Sequence, residues 1–311
     1  MRIVPAADVQ AALDFETLVG RLRDVFRRGA EAPARHLHSI PITGEPEQSL
    51  LLMPAWQAGR HVGVRVATVT PGNAGRSLPA VMGVYLLLDG RTGAPSALID
   101  GPTLTLRRTA AASALASTYL SRPDSARLLM VGTGALAPHL VAAHCAVRPI
   151  RQVLIWGRSP GKAERLAKAL KLKGVTVAAA EELSEAVPGA DIVSCATLSE
   201  EPLIRGAWLA QGQHLDLVGA FRPEMRESDD ACLQRARVFV DTREGALADA
   251  GDLLQPIAAG TFDPADIAAD LFELTRGERA GRRFYDQITL FKSTGSALED
   301  LAAAQLVVER A

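Results

Sequence analysis

Six residues, Gly132-Thr133-Gly134-Ala135-Leu136-Ala137, have the spacing with which a peptide backbone receives the diphosphate of a dinucleotide. In such a GxGxxG/A run the first glycine permits a tight turn and the second lets the backbone approach the pyrophosphate. The small last residue allows helix-on-strand packing. Backbone N–H groups at the start of the following helix then face the phosphates. Further on, Leu154-Ile155-Trp156 ends in Gly157-Arg158-Ser159, with no Asp or Glu to bind a ribose 2′-hydroxyl. Arg158 and Ser159 offer a cation and a hydroxyl suited to a 2′-phosphate, so NADPH is expected, with NADH as the alternative. The plainer reading of the pair is a surface arginine followed by a helix cap.

The surrounding elements separate a phosphate loop from a mere packing turn. From Arg127 to about Thr242, short β-branched runs alternate with helical patterns. Leu128–Val131, Val153–Trp156, Val175–Ala178, Ile192–Cys195, His214–Val218 and Val238–Val240 read as strands. Their near-continuous hydrophobicity suits strands buried on both faces of a parallel sheet. Ser159 can cap the helix after the second run, Pro160 fits its first turn, and Ala163, Leu166, Ala167 and Leu170 share one face before Gly174. Six strands with helical crossovers predict a doubly wound domain of the Rossmann type. Thr197, closing the fourth strand, stands where open α/β sheets bind ligands.

The first 120 residues have another texture. An early helix places Leu18, Leu22, Val25 and Phe26 on one face, and runs at Ser49–Met53, Val62–Val69 and Val81–Leu88 follow. Pro71-Gly72-Asn73 and Asp89-Gly90-Arg91-Thr92-Gly93 supply turn chemistry between them, which predicts an antiparallel sheet. Thr109–Leu120 is an alanine-rich helix, and the two textures meet near Ser121-Arg122-Pro123-Asp124. The fold class is therefore α/β: a doubly wound Rossmann domain plus an α+β antiparallel-sheet domain.

Composition agrees with two globular domains. The chain has 311 residues, against ~150 per domain. Its 34 basic and 35 acidic side chains leave a net charge of −1, which favours neither nucleic acid nor an anionic membrane. No apolar run reaches the ~18 residues of a membrane span, and the start lacks a signal-peptide pattern. Cys145, Cys195 and Cys232 are too few and too far apart for a disulfide framework or a CxxC zinc site. A cytoplasmic protein with no metal is expected.

Several motifs, in order along nearly the whole chain, resemble the ornithine cyclodeaminase/mu-crystallin family. They are Met53-Pro54-Ala55, Arg108-Thr109-Ala110-Ala111, Ala190-Asp191-Ile192-Val193 and Phe291-Lys292-Ser293-Thr294-Gly295. Trp156-Gly157-Arg158-Ser159 and the segment from Val218 to Asp230 are more similar to mu-crystallin and its ketimine-reductase relatives than to the cyclodeaminases. The resemblance implies a homodimer built through the N-terminal sheet, with the last helix returning to that domain. Residues 1–120 and 288–311 would then form the substrate-binding and dimerisation domain, and residues 121–287 the dinucleotide-binding domain. It also implies a small amino or imino acid substrate, and places Ser293 beside the nicotinamide.

The family's substrate-carboxylate arginines map onto Arg35 and Arg108. A guanidinium suits that task, since it presents paired donors and stays charged. Arg65 stands where the family has a lysine, so it keeps the charge but cannot give up a proton. Phe221 occupies the place of the cyclodeaminases' aspartate, and an aromatic ring cannot orient or deprotonate a second amine. The expected activity is reduction of small cyclic ketimine carboxylates such as pyrroline-2-carboxylate or piperideine-2-carboxylate, with Arg35, Arg65 and Arg108 on the carboxylate. The alternatives are ornithine cyclodeaminase, an alanine-type dehydrogenase and a non-catalytic NADPH-dependent binder. His36, His38, Asp216 and Cys195 read as structural, while Lys292 matches the family segment beside the nicotinamide, with pairing to an acid as the plainer alternative.

Overall fold

The computed structural model describes residues 1–311 apart from the side chain of Ala74. The chain divides into two compact units, Met1–Thr109 with Ser296–Ala311, and Ala110–Gly295.

The first unit opens with β1 (Arg2–Val4), α1 (Ala6–Ala12) and α2 (Phe15–Arg28). Asp14 caps α2 by accepting from Thr17 N, and Leu18, Leu22, Val25 and Phe26 are its buried stripe as the periodicity requires. Then come β2 (His36–Ile40), β3 (Gln48–Gln57), β4 (His61–Val69), β5 (Val81–Asp89) and β6 (Pro95–Asp100). The sheet order is β1-β6-β5-β4-β3-β2. It is antiparallel from β2 to β6, but β1 joins β6 in parallel, so the sheet is mixed. The β5–β6 turn is held by Asp89 Oδ1, which accepts from Arg91 N, Thr92 N and the Thr92 hydroxyl.

α3 runs from Gly101 to Leu120, and the boundary between units falls inside it rather than at Ser121. The reason lies in its small residues: Ala110, Ala111, Ala112, Ala114 and Ala116 are all fully buried, and Ser113 donates to Asp216 of the second unit.

In the second unit follow β7 (Arg127–Val131), α4 (Ala137–Val147), β8 (Gln152–Trp156), α5 (Pro160–Ala169), β9 (Thr176–Ala179), α6 (Leu183–Gly189), β10 (Ile192–Cys195) and β11 (His214–Leu217). Then come α7 (Asp230–Arg235), β12 (Arg237–Val240), α8 (Arg243–Asp249), α9 (Gly251–Ala258), β13 (Ile267–Asp270), α10 (Leu271–Arg276) and β14 (Thr289–Lys292). The sheet is eight-stranded and parallel throughout, in the order β13-β12-β14-β11-β10-β7-β8-β9. All six expected strands are present. The two extra are β13 and β14, and β14 is inserted between β11 and β12. α5 stops at Ala169, short of Gly174. The chain ends on α11 (Ala297–Arg310), which belongs to the first unit.

Candidate functional site

β7 and β10 are neighbours at the point where the strand order reverses, and a crevice forms at their carboxyl ends. A cavity of about 490 Å³ lies there, lined by Gly132, Thr133 and Gly134 after β7, by Arg158, Ser159 and Lys162 after β8, and by Thr197 after β10. Gly132 has φ +124°, and a Cβ on it would meet Ala196 O at 2.5 Å, so the turn admits only glycine. At Gly134 a Cβ would touch no atom within 4 Å. The space a side chain would fill is open, which is the cradle a diphosphate needs. Ala137, fully buried, starts α4 against the sheet, while Ala135 and Leu136 lead into the helix without lining the cavity.

At the ribose end, no acid is among the lining residues. Ser159 occupies the N-cap position of α5, yet its side chain makes no capping bond, contrary to the cap reading. Its hydroxyl remains available beside Arg158. Lys162, in the first turn of α5, adds a second cation that the sequence motif had not singled out. The residues present therefore fit a dinucleotide.

Thr197 lines the cavity, but its hydroxyl proton is committed. Thr197 N and Oγ1 both donate to Glu227 Oε1, at 2.7 and 2.8 Å. The Ser293 hydroxyl is committed in the same way. It is buried, its Oγ donates to Asp241 Oδ2 at 3.0 Å, and it is not among the residues lining the cavity. Asp241 also accepts from the backbone of Thr242, Thr294 and Gly295, and burial nonetheless pushes its carboxyl up. Lys292 does pair with an acid, its Nζ lying 3.1 Å from Asp252 Oδ2 with both side chains buried.

Asp216 is structural, as expected. It accepts from Ser113 Oγ and Ser194 Oγ, and His144 Nε2 lies 3.2 Å away. Burial disfavours its charge, but these partners prevail and hold the carboxyl below its usual range. Burial pushes the Cys195 thiol well up, which leaves it inert as a nucleophile.

The arginines lie in the first unit. Arg65 in β4 pairs across the ladder with Met53 in β3 and with Tyr85 in β5, so the three share one face of the sheet. Continuing the β2–β3 register by one residue brings Arg35 opposite Met53, in the same row. Arg35 itself is exposed, just ahead of an exposed edge strand. Arg65 is half-buried, and burial lowers its pKa against the pull of Asp300. Arg108 is buried, with Nε donating to Asp300 Oδ1 at 2.9 Å and Nη1 to Glu299 Oε2 at 2.7 Å. Both acids sit in the first turn of α11, where the helix dipole favours negative charge. Arg108 thus has two of its donors, Nε and Nη1, already engaged by carboxylates.

Sequence reasoning missed three groups here. Glu299 and Asp300 follow the Phe291–Gly295 motif after three intervening residues, and only the fold joins them to Arg108. Tyr85 is fully buried with no hydrogen-bond partner for its hydroxyl, and Asp300 Oδ2 likewise has none. The Tyr85 ring passes over Gly63, whose absent Cβ leaves room for it. Burial pushes the Tyr85 phenol well up, so it stays protonated.

A doubly wound parallel sheet with a glycine-turn cavity at its switch point defines a dinucleotide-binding protein of the α/β class. A model of the ornithine cyclodeaminase/mu-crystallin family matches residues 2–311, and the chain belongs to that family. The Delta(1)-pyrroline-2-carboxylate reductase of Paracoccus denitrificans (strain Pd 1222) is 40% identical over 301 residues, covering 95% of this chain and 95% of that protein. Among solved structures, Thermococcus litoralis Delta(1)-pyrroline-2-carboxylate reductase in complex with NADH and L-proline matches with a TM-score of 0.92 and 32% identity, covering 100% of this chain and 97% of that one. An archaeal alanine dehydrogenase dimer with bound NAD matches with a TM-score of 0.90 and 27% identity, covering 100% and 95%.

Proposed function

We propose that the chain is an NADPH-dependent reductase of small cyclic ketimine carboxylates, of the pyrroline-2-carboxylate or piperideine-2-carboxylate type. The observation that carries the reading is the acid-free cavity at the switch point, with Arg158, Ser159 and Lys162 around its ribose end. The relative at 40% identity over nearly the full length supplies the reaction class. The bound dinucleotide supplies the two electrons that reduce the C=N bond.

Arg65 and Arg108, with Arg35 in the same row as Arg65, hold the substrate carboxylate. Three cations alone would oppose the protonated imine that accepts those electrons. Glu299 and Asp300 offset two of the three cations in formal charge, leaving one positive charge for the carboxylate of the iminium substrate. Arg65 cannot supply the imine proton, which therefore comes from solvent. Phe221 is 40% exposed and brings no carboxylate to its position, which counts against amine cyclisation.

The working unit is a homodimer joined through the N-terminal sheet. Val62, Val84 and Met82, on the face opposite Arg65 and Tyr85, are 38, 37 and 45% exposed. A contiguous apolar sheet face of this kind calls for a cover. No helix among the described residues is long and apolar enough to cross a membrane. The three cysteines are unpaired, which suits the cytoplasm.

The test follows NADPH absorbance with both imines, alongside an ammonia assay with ornithine. Oxidation of NADPH by either imine is expected. Ammonia from ornithine without net NADPH consumption would replace this reading with the cyclodeaminase.

A further inference from the structure

Glu227 lies between β11 and α7, away from every motif that marks the dinucleotide cavity, and it is fully buried. Its carboxylate accepts three hydrogen bonds. Oε1 takes Thr197 N and Thr197 Oγ1 at 2.7 and 2.8 Å, and Oε2 takes Gly219 N at 2.7 Å. Thr197 follows the end of β10 and Gly219 follows the end of β11. One side chain therefore ties together the carboxyl ends of two adjacent strands, and Thr197 lines the cavity. Gly219 has to be glycine for this, since a Cβ there would meet Thr197 O at 2.1 Å and Glu227 Oε1 at 2.4 Å.

We propose that Glu227 is a positioning residue for dinucleotide binding, holding the Thr197 and Gly219 loops in the receptive geometry, and that it does so only as the carboxylate. The inference rests on the dinucleotide reading above. All three partners donate, so the ionised form satisfies them best; a proton on either oxygen takes up an acceptor position and sets a new donor among N–H and O–H groups. The charges facing Glu227 are Lys292 of β14 and Asp252 of α9, with the Cys195 thiol of β10 nearby. Asp252 Oδ1 accepts from Glu227 N and Ser228 N, at 2.8 and 3.0 Å, which fixes the backbone that carries Glu227. Lys292 is the single cation against two buried carboxylates, so the cluster has one formal negative charge in excess. Burial, and then Asp252, push Glu227 up to about 7 against the pull of Lys292. The clamp therefore loosens within the neutral range.

The experiment measures NADH affinity by fluorescence from pH 5.5 to 8, for the intact protein and for E227Q. NADH is the probe because the 2′-phosphate of NADPH itself titrates near ~6. Glutamine keeps the volume but places an NH2 against at least one donor. The expected result is a Kd about tenfold higher in E227Q, ~1.4 kcal/mol, with the KM for the imine at saturating dinucleotide within about twofold of the parent value. The parent protein should lose affinity as pH falls below neutrality, whereas E227Q should show a flat profile; a merely structural role would not produce that difference. Equal Kd values and matching pH profiles would overturn the proposal. If E227Q fails to fold, a flat profile in the parent protein is enough to overturn it. Failure of the parent protein to bind NADH or NADPH at any pH would remove the dinucleotide reading, and this one with it.

Discussion

Arg108 Nε lies 2.9 Å from Asp300 Oδ1, with both side chains buried, and Glu299 holds the same guanidinium at Nη1. This pairing changes what a substitution at Arg108 reports. Removing it strands two carboxylates in the interior, which costs ~3–5 kcal/mol. Arg108→Ala should therefore lower stability in urea unfolding by about that amount, in addition to any loss of turnover. The triple variant R108M/E299Q/D300N should recover a large part of the loss. Wild-type stability in Arg108→Ala would refute the buried pairing.

Arg158 and Lys162 should discriminate between the two dinucleotides. A charge-assisted hydrogen bond contributes ~1.5–3 kcal/mol, or roughly 10- to 100-fold in affinity. Arg158→Ala should raise the Kd for NADPH by at least the lower figure and leave that for NADH within about twofold. A similar loss for both cofactors would show that neither cation reads a 2′-phosphate.

Gly63 and Tyr85 form a tight contact. A Cβ on Gly63 would meet Tyr85 Oη at 2.0 Å and its Cζ at 2.6 Å. Gly63→Ala should cost ~1–3 kcal/mol through overpacking. Tyr85→Phe alone removes an unpartnered buried hydroxyl and should leave the thermal midpoint unchanged or higher. Combined, the two substitutions should cost less than Gly63→Ala alone, because only part of the clash remains. Strict additivity in the cycle would rule out the contact.

Stability between pH 3 and pH 7 should reflect two buried groups of opposite sign. His214 is pushed down to about 3 from 6.5, chiefly by burial. Its Nδ1 lies 3.0 Å from Thr289 Oγ1, whose own proton goes to Leu120 O, so Nδ1 is the donor, and the buried Nε2 has no hydrogen-bond partner that would favour a second proton. The unfolded chain binds the extra proton, so this contribution is present above 6.5 and is lost as pH falls towards 3. Glu227 is raised from 4.5 to about 7, so its contribution falls as pH rises through that window. The two oppose each other between 4.5 and 6.5, and acid unfolding should steepen below 4.5. In His214→Asn the acid limb should flatten, measured by urea midpoints at pH 4 and 6. An unchanged acid limb would mean that His214 is not held neutral.

The uncovered sheet face gives a prediction about assembly. Val84→Arg places a charge opposite Val66 and two residues from Met82 on that face, and should convert the proposed dimer to a monomer, read by light scattering on a sizing column. A parent protein that is already monomeric would remove the dimer from the proposal.

The glycine turn of the candidate dinucleotide cavity was legible in the sequence because it is local. Gly132, Gly134 and Ala137 lie within six residues, and the turn they form depends on backbone freedom and side-chain size, which residue type fixes directly. The strands beside them were legible because burial on both faces leaves continuous apolar runs. β14 was not, since Thr289–Lys292 ends in a lysine whose burial depends on Asp252, forty residues earlier in the chain. Ser293 and Thr197 were placed near the cofactor by position alone. Only tertiary structure shows that their hydroxyl protons belong to Asp241 and Glu227.

The candidate substrate residues divide the same way. Residue type determined that Arg65 cannot deprotonate and that Phe221 cannot act as a base, whatever the fold. Pairing is a long-range property: Arg108 meets Glu299 and Asp300 because α3 and α11 pack in one unit, across nearly two hundred residues of chain. No local pattern encodes which charges become neighbours, since that follows from how helices and strands bury their apolar faces. The sequence by itself therefore determined the chemistry available at each position, and the tertiary structure decided which of those groups are already spent on one another.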